Sequence, residues 1–229
     1  MITIAWSDYG TVQGEFCISI ARSIKQDSQQ RNLISEVFAL PCSSVALARN
    51  IIFRDFLEKS TSPWLLMVDG DTVWSAEDIY KLYDIATKND IKVINGTYFI
   101  KIDCAEGCLH TVPDMFVSED LEGKKHSVFV KIENELNKEI IEVEWAGLGA
   151  LLIHRDVLEQ TKQVGIVDNF PYWCANGLVD GYFAGEDHYF FNNIKKQGHK
   201  VYATPQVIVG HVKKQVLNFE SYKQEHGFF

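Results

Sequence analysis

The apolar run Trp64-Leu65-Leu66-Met67-Val68 is followed at once by Asp69-Gly70-Asp71. A short unbroken apolar run bounded by turn chemistry suits a strand buried inside a parallel sheet. In open α/β sheets ligands gather where such strands end at their carboxyl edge, so the two acids stand where a ligand is expected. Two carboxylates one residue apart on a turn, with Gly70 supplying permissive dihedrals, can converge on one hard divalent cation and leave its other positions to water and phosphate oxygens. The same letters also describe a solvated Asp-Gly turn after a core strand. The motif alone leaves both open.

The flanking pattern predicts an α/β fold. Residues 1 to 6 read as a first strand, and Cys17, Ile20, Ala21 and Ile24 recur at helical spacing. A second helix is expected after Ser43 or Ser44 as cap, with Ala48, Ile51, Ile52 and Leu57 mostly inward, up to the turn at residues 60 to 63. Behind the acids, Ser75 and Asp78 form a capping signal for a helix carrying Ile79, Leu82 and Ala86, and Ile91-Lys92-Val93-Ile94 returns as a strand. The order so far is βα, α, βα, β. From about Lys101 to Lys138 helical periodicity is lost, and an inserted loop or hairpin region is expected. Order resumes from Ile140 to Trp145, through Gly147 and Gly149, the run 150–153 and a short helix at Val157 and Leu158. Gly185-Glu186-Asp187 opens a last helix, which Gly198 closes before a strand over 200–203. One domain over residues 1–229 is expected, with a binding half at 1–100, the insertion at 101–139 and a second half at 140–229.

With 46% hydrophobic residues the chain of 229 can fill one substantial core. A formal charge of −9 opposes general affinity for nucleic acid. Lys195, Lys196, Lys200, Lys213 and Lys214, with His199 and His211, gather positive charge in the last third, either facing a diphosphate or forming a solvated face. No apolar stretch approaches the ~20 residues needed to cross a bilayer, so no stable membrane insertion is expected. Five scattered cysteines and a start without a basic-then-apolar leader fit a soluble, cytoplasmic setting. Cys104, Cys108 and His110 lack the second ligand pair of a structural zinc site. There is no phosphate-loop signature, no dinucleotide glycine fingerprint and no nucleophile elbow, which disfavours kinase-like loops, dehydrogenases and serine hydrolases.

Glu186 and Asp187 at a helix N-terminus read either as first-turn capping or as a general base with a neighbouring acid to orient it. His211 ends the run Val207-Ile208-Val209-Gly210 and could complete a coordination shell or be an ordinary surface histidine. Trp145, ahead of Gly147 and Gly149, sets an aromatic face beside approachable backbone; it suits stacking on a sugar or belongs to the core.

In order and approximate spacing, Ala48-Arg49-Asn50, the run 65–71 ending in Asp69-Gly70-Asp71, Trp145-Ala146-Gly147-Leu148-Gly149, Gly185-Glu186-Asp187 and Gly210-His211 resemble the GT-A glycosyltransferases of the family-2-like group, over about residues 1 to 211. The resemblance implies a Rossmann-like, mostly parallel central sheet flanked by helices, with the insertion on the acceptor side. By the same resemblance Asp69-Gly70-Asp71 is the DxD motif: Asp71 binds Mn²⁺ or Mg²⁺, and Asp69 lies by the ribose or the metal. His211 contacts metal or diphosphate, Arg49 contacts the donor, and Ser7 and Tyr9 receive the nucleotide base. Glu186 and Asp187 form the acceptor-side acidic pair, with Asp187 as base, while Trp145, Gly147 and Gly149 meet the sugar.

The implied activity is metal-dependent transfer of one sugar from a nucleotide diphosphate sugar, UDP-linked as first guess, to an acceptor hydroxyl. The Q-x-x-R-W element of processive synthases is missing after Asp187, which favours single-sugar transfer. The acceptor is left open among a glycan, a protein, a lipid-linked sugar and a modified nucleobase. Alternatives are a sugar-phosphate nucleotidyltransferase and a non-catalytic carbohydrate- or nucleotide-binding protein of the same fold.

Overall fold

The computed structural model describes residues 1–103, 109–121, 124–165, 169–179 and 181–213. β1 (Ile2–Asp8) leads to α1 (Gly14–Gln29), and β2 (Ile34–Pro41) to α2 (Val45–Lys59). β3 (Trp64–Asp69) carries the first acid and passes through β4 (Thr72–Val73) to α3 (Ala76–Lys88) and β5 (Val93–Thr97). Two hairpins follow, β6 (Phe99–Asp103) with β7 (Leu109–Pro113) and β8 (Met115–Leu121) with β9 (Lys124–Phe129). Short strands β10 (Ile141–Glu142) and β11 (Trp145–Ala146) precede β12 (Ala150–His154) and α4 (Arg155–Thr161). After β13 (Gln163–Val164), β14 (Pro171–Tyr172), β15 (Gly177–Val179) and β16 (Tyr182–Ala184) come α5 (Glu186–Lys196), β17 (Tyr202–Ile208) and β18 (Gly210–His211).

The central sheet has the order β10-β17-β5-β12-β3-β1-β2. β1, β2 and β3 run parallel, as do β5 and β17, while β12 is antiparallel to both β3 and β5. The sheet is therefore mostly parallel and flanked by helices, as the resemblance implies. From β1 the chain steps to one side to form β2 and to the other to form β3, so the strand order reverses at β1. Such a switch point opens a crevice at the carboxyl ends of the two strands.

Alternation along β3 explains its unbroken apolar run. Leu65 and Met67 pack with Phe53, Phe56, Phe190 and Phe191 of α2 and α5, whereas Trp64, Leu66 and Val68 pack with Phe16, Ile79 and Leu82 of α1 and α3. Both faces of the strand are covered, so every position must be apolar.

Several helix ends follow the sequence closely. Ser44 caps α2, and Ser75 with Asp78 forms a reciprocal capping box on α3. At the end of α5, Gly198 adopts φ +87°; its N–H donates to Lys195 O and the His199 N–H to Ile194 O, the paired bonds of a Schellman close.

One expectation is corrected. The order βα, α omits β2, an outermost strand in which half-buried and exposed residues alternate although Val37-Phe38-Ala39-Leu40 is apolar throughout. Gly70 lies outside the positive-φ region, which among the described glycines only Gly10, Gly181 and Gly198 occupy. A Cβ on Gly70 would fall 3.0 Å from the Val12 side chain, so closeness is what the position demands.

Candidate functional site

A cleft of about 430 Å³ opens at the carboxyl ends of β1 and β3. Ser7, Tyr9, Arg49, Asp69, Asp71, Glu186, Asp187 and His211, eight of the residues singled out in the sequence, all line it.

The turn carrying the acids is fixed by its own backbone. Asp69 O accepts from the Thr72 hydroxyl at 2.8 Å, Gly70 O from Gln13 N–H at 3.0 Å and Asp71 O from Val212 N–H at 2.7 Å. A solvated Asp-Gly turn would leave these carbonyls to water, so the turn is a built element rather than a surface loop. In the structure the two side chains have separate partners. Asp69 meets Arg49 at 3.2 Å, while Asp71 meets His211 Nε2 at 3.2 Å and Lys213 Nζ at 3.0 Å.

Arg49 projects from α2 and is only 3% exposed. Its guanidinium pairs with Asp69, with Glu186 at 3.0 Å and with Asp187. Burial opposes its charge, but Asp187, Asp69 and Glu186 outweigh burial and hold it protonated. The Arg49 Nε is buried and has no hydrogen-bond partner among the described residues.

Glu186 and Asp187 open α5, where unpaired N–H groups and the helix dipole favour negative charge. Burial nonetheless pushes the Asp187 carboxyl up, and Glu186, Asp69 and Asp114 add to this against the pull of Arg49, leaving it at about 7. Asp71 moves the other way. Burial raises it, but hydrogen bonds from His211 and Lys213 prevail and hold it at about 2.

His211 lies on β18, pinned by pairing with β4, so its ring stands beside Asp71. Its Nδ1 is 2.8 Å from the Phe99 carbonyl oxygen. A carbonyl only accepts, so Nδ1 carries a proton; the bond to Asp71 then needs a second proton on Nε2, and without it the Nε2 lone pair faces the carboxylate oxygen. Two acceptors at that distance need a positive charge between or upon them. A metal-binding imidazole shows the same arrangement, its other nitrogen bonded to a carbonyl, so Asp71 and His211 fit a hard divalent cation completed by water and phosphate oxygens. Among the described residues no three His, Cys, Asp or Glu side chains are gathered as a ligand set.

Trp145, Gly147 and Gly149, expected to meet the sugar, do not line the cleft. The Trp145 ring is stacked between Phe116, at 3.5 Å between centroids, and His188, at 5.1 Å, so both its faces are occupied by protein. The glycines are indeed closely approached, but by side chains of the site. A Cβ on Gly149 would fall 2.4 Å from Asp69 Oδ2, and one on Gly147 would fall 2.1 Å from Asp114 Oδ2 and collide with the Tyr98 hydroxyl. They are the floor on which the acids rest.

Asp8, Tyr98, Asp114 and Lys213 also line the cleft and were not selected as site residues. Asp114 lies between β7 and β8, where no motif marks it. The positive cluster is divided: Lys195 pairs with Glu144 and Lys200 with Glu142, and among its described residues Lys213 and His211 line the site. Lys214, Cys104 and Cys108 lie outside the described residues.

No family model matches the sequence, and no curated protein matches it. Solved structures do resemble the fold. The crystal structure of A197 from STIV is 18% identical with a TM-score of 0.50, over 95% of this chain and 96% of that one. The crystal structure of GalNAc-T7 with UDP, GalNAc and Mn²⁺ is 13% identical with a TM-score of 0.58, over 94% of this chain and 43% of that one. The chain thus spans less than half the length of GalNAc-T7. At these identities the likeness establishes a GT-A-like fold. Among the described residues no helix is long and apolar enough to cross a membrane.

Proposed function

We propose that the protein transfers one sugar from a nucleotide diphosphate sugar, UDP-linked, to an acceptor hydroxyl, with Mn²⁺ or Mg²⁺ as cofactor. The observation that carries this is the convergence, in one cleft at the switch point, of Asp69, Glu186 and Asp187 on buried Arg49 beside the Asp71–His211 pair. A GT-A-like fold that holds UDP, GalNAc and Mn²⁺ in GalNAc-T7 supports the choice of ligands.

In this reading Ser7 and Tyr9, at the end of β1, receive the nucleotide base. Asp71 and His211 would hold the cation, with Asp69 behind them; a bound cation stabilises charge on a departing diphosphate. Lys213 adds positive charge at the same edge. Arg49 keeps Asp69, Glu186 and Asp187 in fixed relation.

Asp187 accepts the proton of the acceptor hydroxyl as that oxygen bonds to the anomeric carbon. The bond from this carbon to the diphosphate oxygen breaks, and the electron pair leaves with UDP. Attack by the acceptor oxygen in line with the departing diphosphate inverts the anomeric centre, whereas a retaining course needs a different geometry. A carboxylate near pH 7 is well matched to that task, because general-base efficiency is greatest when the group titrates near the working pH.

The test is release of UDP from UDP-hexoses with Mn²⁺, with and without candidate acceptors. Asp71→Ala is expected to abolish cation-dependent turnover, and Asp187→Asn to lower it by roughly 10²- to 10⁴-fold while donor binding persists. Full activity of Asp71→Ala in chelator would refute the metal role. Unaltered turnover by Asp187→Asn would remove it as base.

A further inference from the structure

We propose that Asp114, held by Tyr98 over Gly147, is a specificity-determining residue that accepts hydrogen bonds from hydroxyls of the donor's sugar. This rests on the transfer reading and deepens it, since it assigns the group that distinguishes a nucleotide sugar from the nucleotide alone.

The backbone of Asp114 is clamped on both sides. Its N–H donates to Tyr98 O at 3.0 Å, and its carbonyl accepts from Gly147 N–H at 3.1 Å. The side chain is fixed as well: Asp114 Oδ2 and the Tyr98 hydroxyl both lie in the space that a Cβ on Gly147 would fill. Tyr98 is itself 4% exposed, and its ring stands edge-on to His211 with centroids 5.1 Å apart. The carboxylate therefore enters the cleft from a rigid mount rather than from a mobile loop.

Its partners set it apart. Of the five acids around Arg49 and His211, Asp69, Glu186 and Asp187 are paired with Arg49, and Asp71 with His211 and Lys213. Asp114 has no ion pair among the described residues; its hydrogen-bonding side-chain neighbour is the neutral Tyr98 hydroxyl, while His211, Arg49 and Asp69 act on it only through space. An ionised carboxylate is acceptor-only, with about four lone-pair sites, so it retains capacity for the O–H donors of a sugar. A half-buried carboxylate without a cation is costly unless something donates to it. A bound sugar supplies several such donors. Both Asp114 and Tyr98 lie by His211, at the edge where the cation and diphosphate are placed, which points to the donor's sugar rather than the acceptor.

The experiment compares calorimetric affinities of the full chain for UDP and for a panel of UDP-hexoses, all with Mn²⁺, in the wild type, Asp114→Ala, Asp114→Asn and Tyr98→Phe. The wild type is expected to bind one UDP-hexose more tightly than UDP. Asp114→Ala should weaken that sugar nucleotide by roughly 10- to 100-fold, the worth of hydrogen bonds to a charged acceptor, and change UDP by no more than about twofold. Should Asp114→Ala fail to fold, Asp114→Asn and Tyr98→Phe carry the test, each narrowing the preference among hexoses. An unchanged ratio of UDP-hexose to UDP affinity in the folded variants overturns the assignment while leaving the transfer reading intact. A wild type that binds neither UDP nor any UDP-hexose overturns the transfer reading and this assignment together. Lost affinity for an acceptor sugar with an unchanged donor ratio overturns the donor assignment.

Discussion

At the scale of single residues, the site is a charge balance around Arg49. Three carboxylates converge on one buried guanidinium, so removing that guanidinium leaves buried negative charge without compensation. Arg49→Met is expected to cost about 3–5 kcal/mol in denaturant unfolding at pH 8, where breaking one side of a buried pair has that typical size. The cost should shrink at pH 5, because Asp187 then takes up a proton. The Asp187 carboxyl titrates at about 7 in the folded chain, above its ordinary 3.8. A raised acid contributes stability below its unfolded value and loses it as pH rises through the folded one. The stability of the wild type relative to Asp187→Asn should therefore fall between about pH 4 and 7, as followed by chemical unfolding across pH. In the same window kcat/KM should rise with pH, its acid limb near 7. Asp69, Asp71, Glu186, Asp187 and His211 were legible in the sequence because each sits where a run of one periodicity ends, whereas Arg49, inside α2, was reached only through the family resemblance. Asp114 and Tyr98 were not legible, since a carboxylate between β7 and β8 carries no local signal and only the fold brings it to the cleft.

At the scale of elements, the glycines of the segment between β11 and β12 determine whether the acids have room. Gly149→Ala places a methyl group against Asp69, and the ion pair to Arg49 must yield. We expect a loss of about 1–3 kcal/mol in stability, the usual cost of overpacking, together with weakened nucleotide binding. A variant of unchanged stability and affinity would show that the segment gives way freely. As a contrast, Ser75→Ala removes the cap of α3 on the far side of the acid turn; it should cost about 1 kcal/mol and leave binding unaltered. The sequence located this glycine-rich segment but assigned it to the ligand, because spacing reveals that backbone is closely approached without revealing by what. Likewise Trp145 had the composition of a stacking platform, and only the tertiary packing of Phe116 and His188 showed its faces filled.

For the whole molecule, the order of the strands makes the site. Reversal at β1 brings Ser7 and Asp69 to one crevice, and α2 and α5 deliver Arg49 and Asp187 to it from positions far apart in the chain. The α/β class was legible from helix and strand periods, whereas the antiparallel insertion of β12 between β3 and β5 was not, because local patterns do not encode strand order. A ligand that binds only the native state stabilises it by about 2.7 kcal/mol at a hundredfold excess over Kd. UDP with Mn²⁺ should accordingly raise the melting temperature by roughly 5–10 °C for a chain of this size, and EDTA should remove the gain. The most direct measurement of the central claim is a crystal structure with Mn²⁺ and UDP, read by manganese anomalous scattering. The account predicts one anomalous peak bound by Asp71 and His211, with the diphosphate beside it and the base near Ser7 and Tyr9. A cleft without nucleotide, or a manganese peak away from those two side chains, would contradict it.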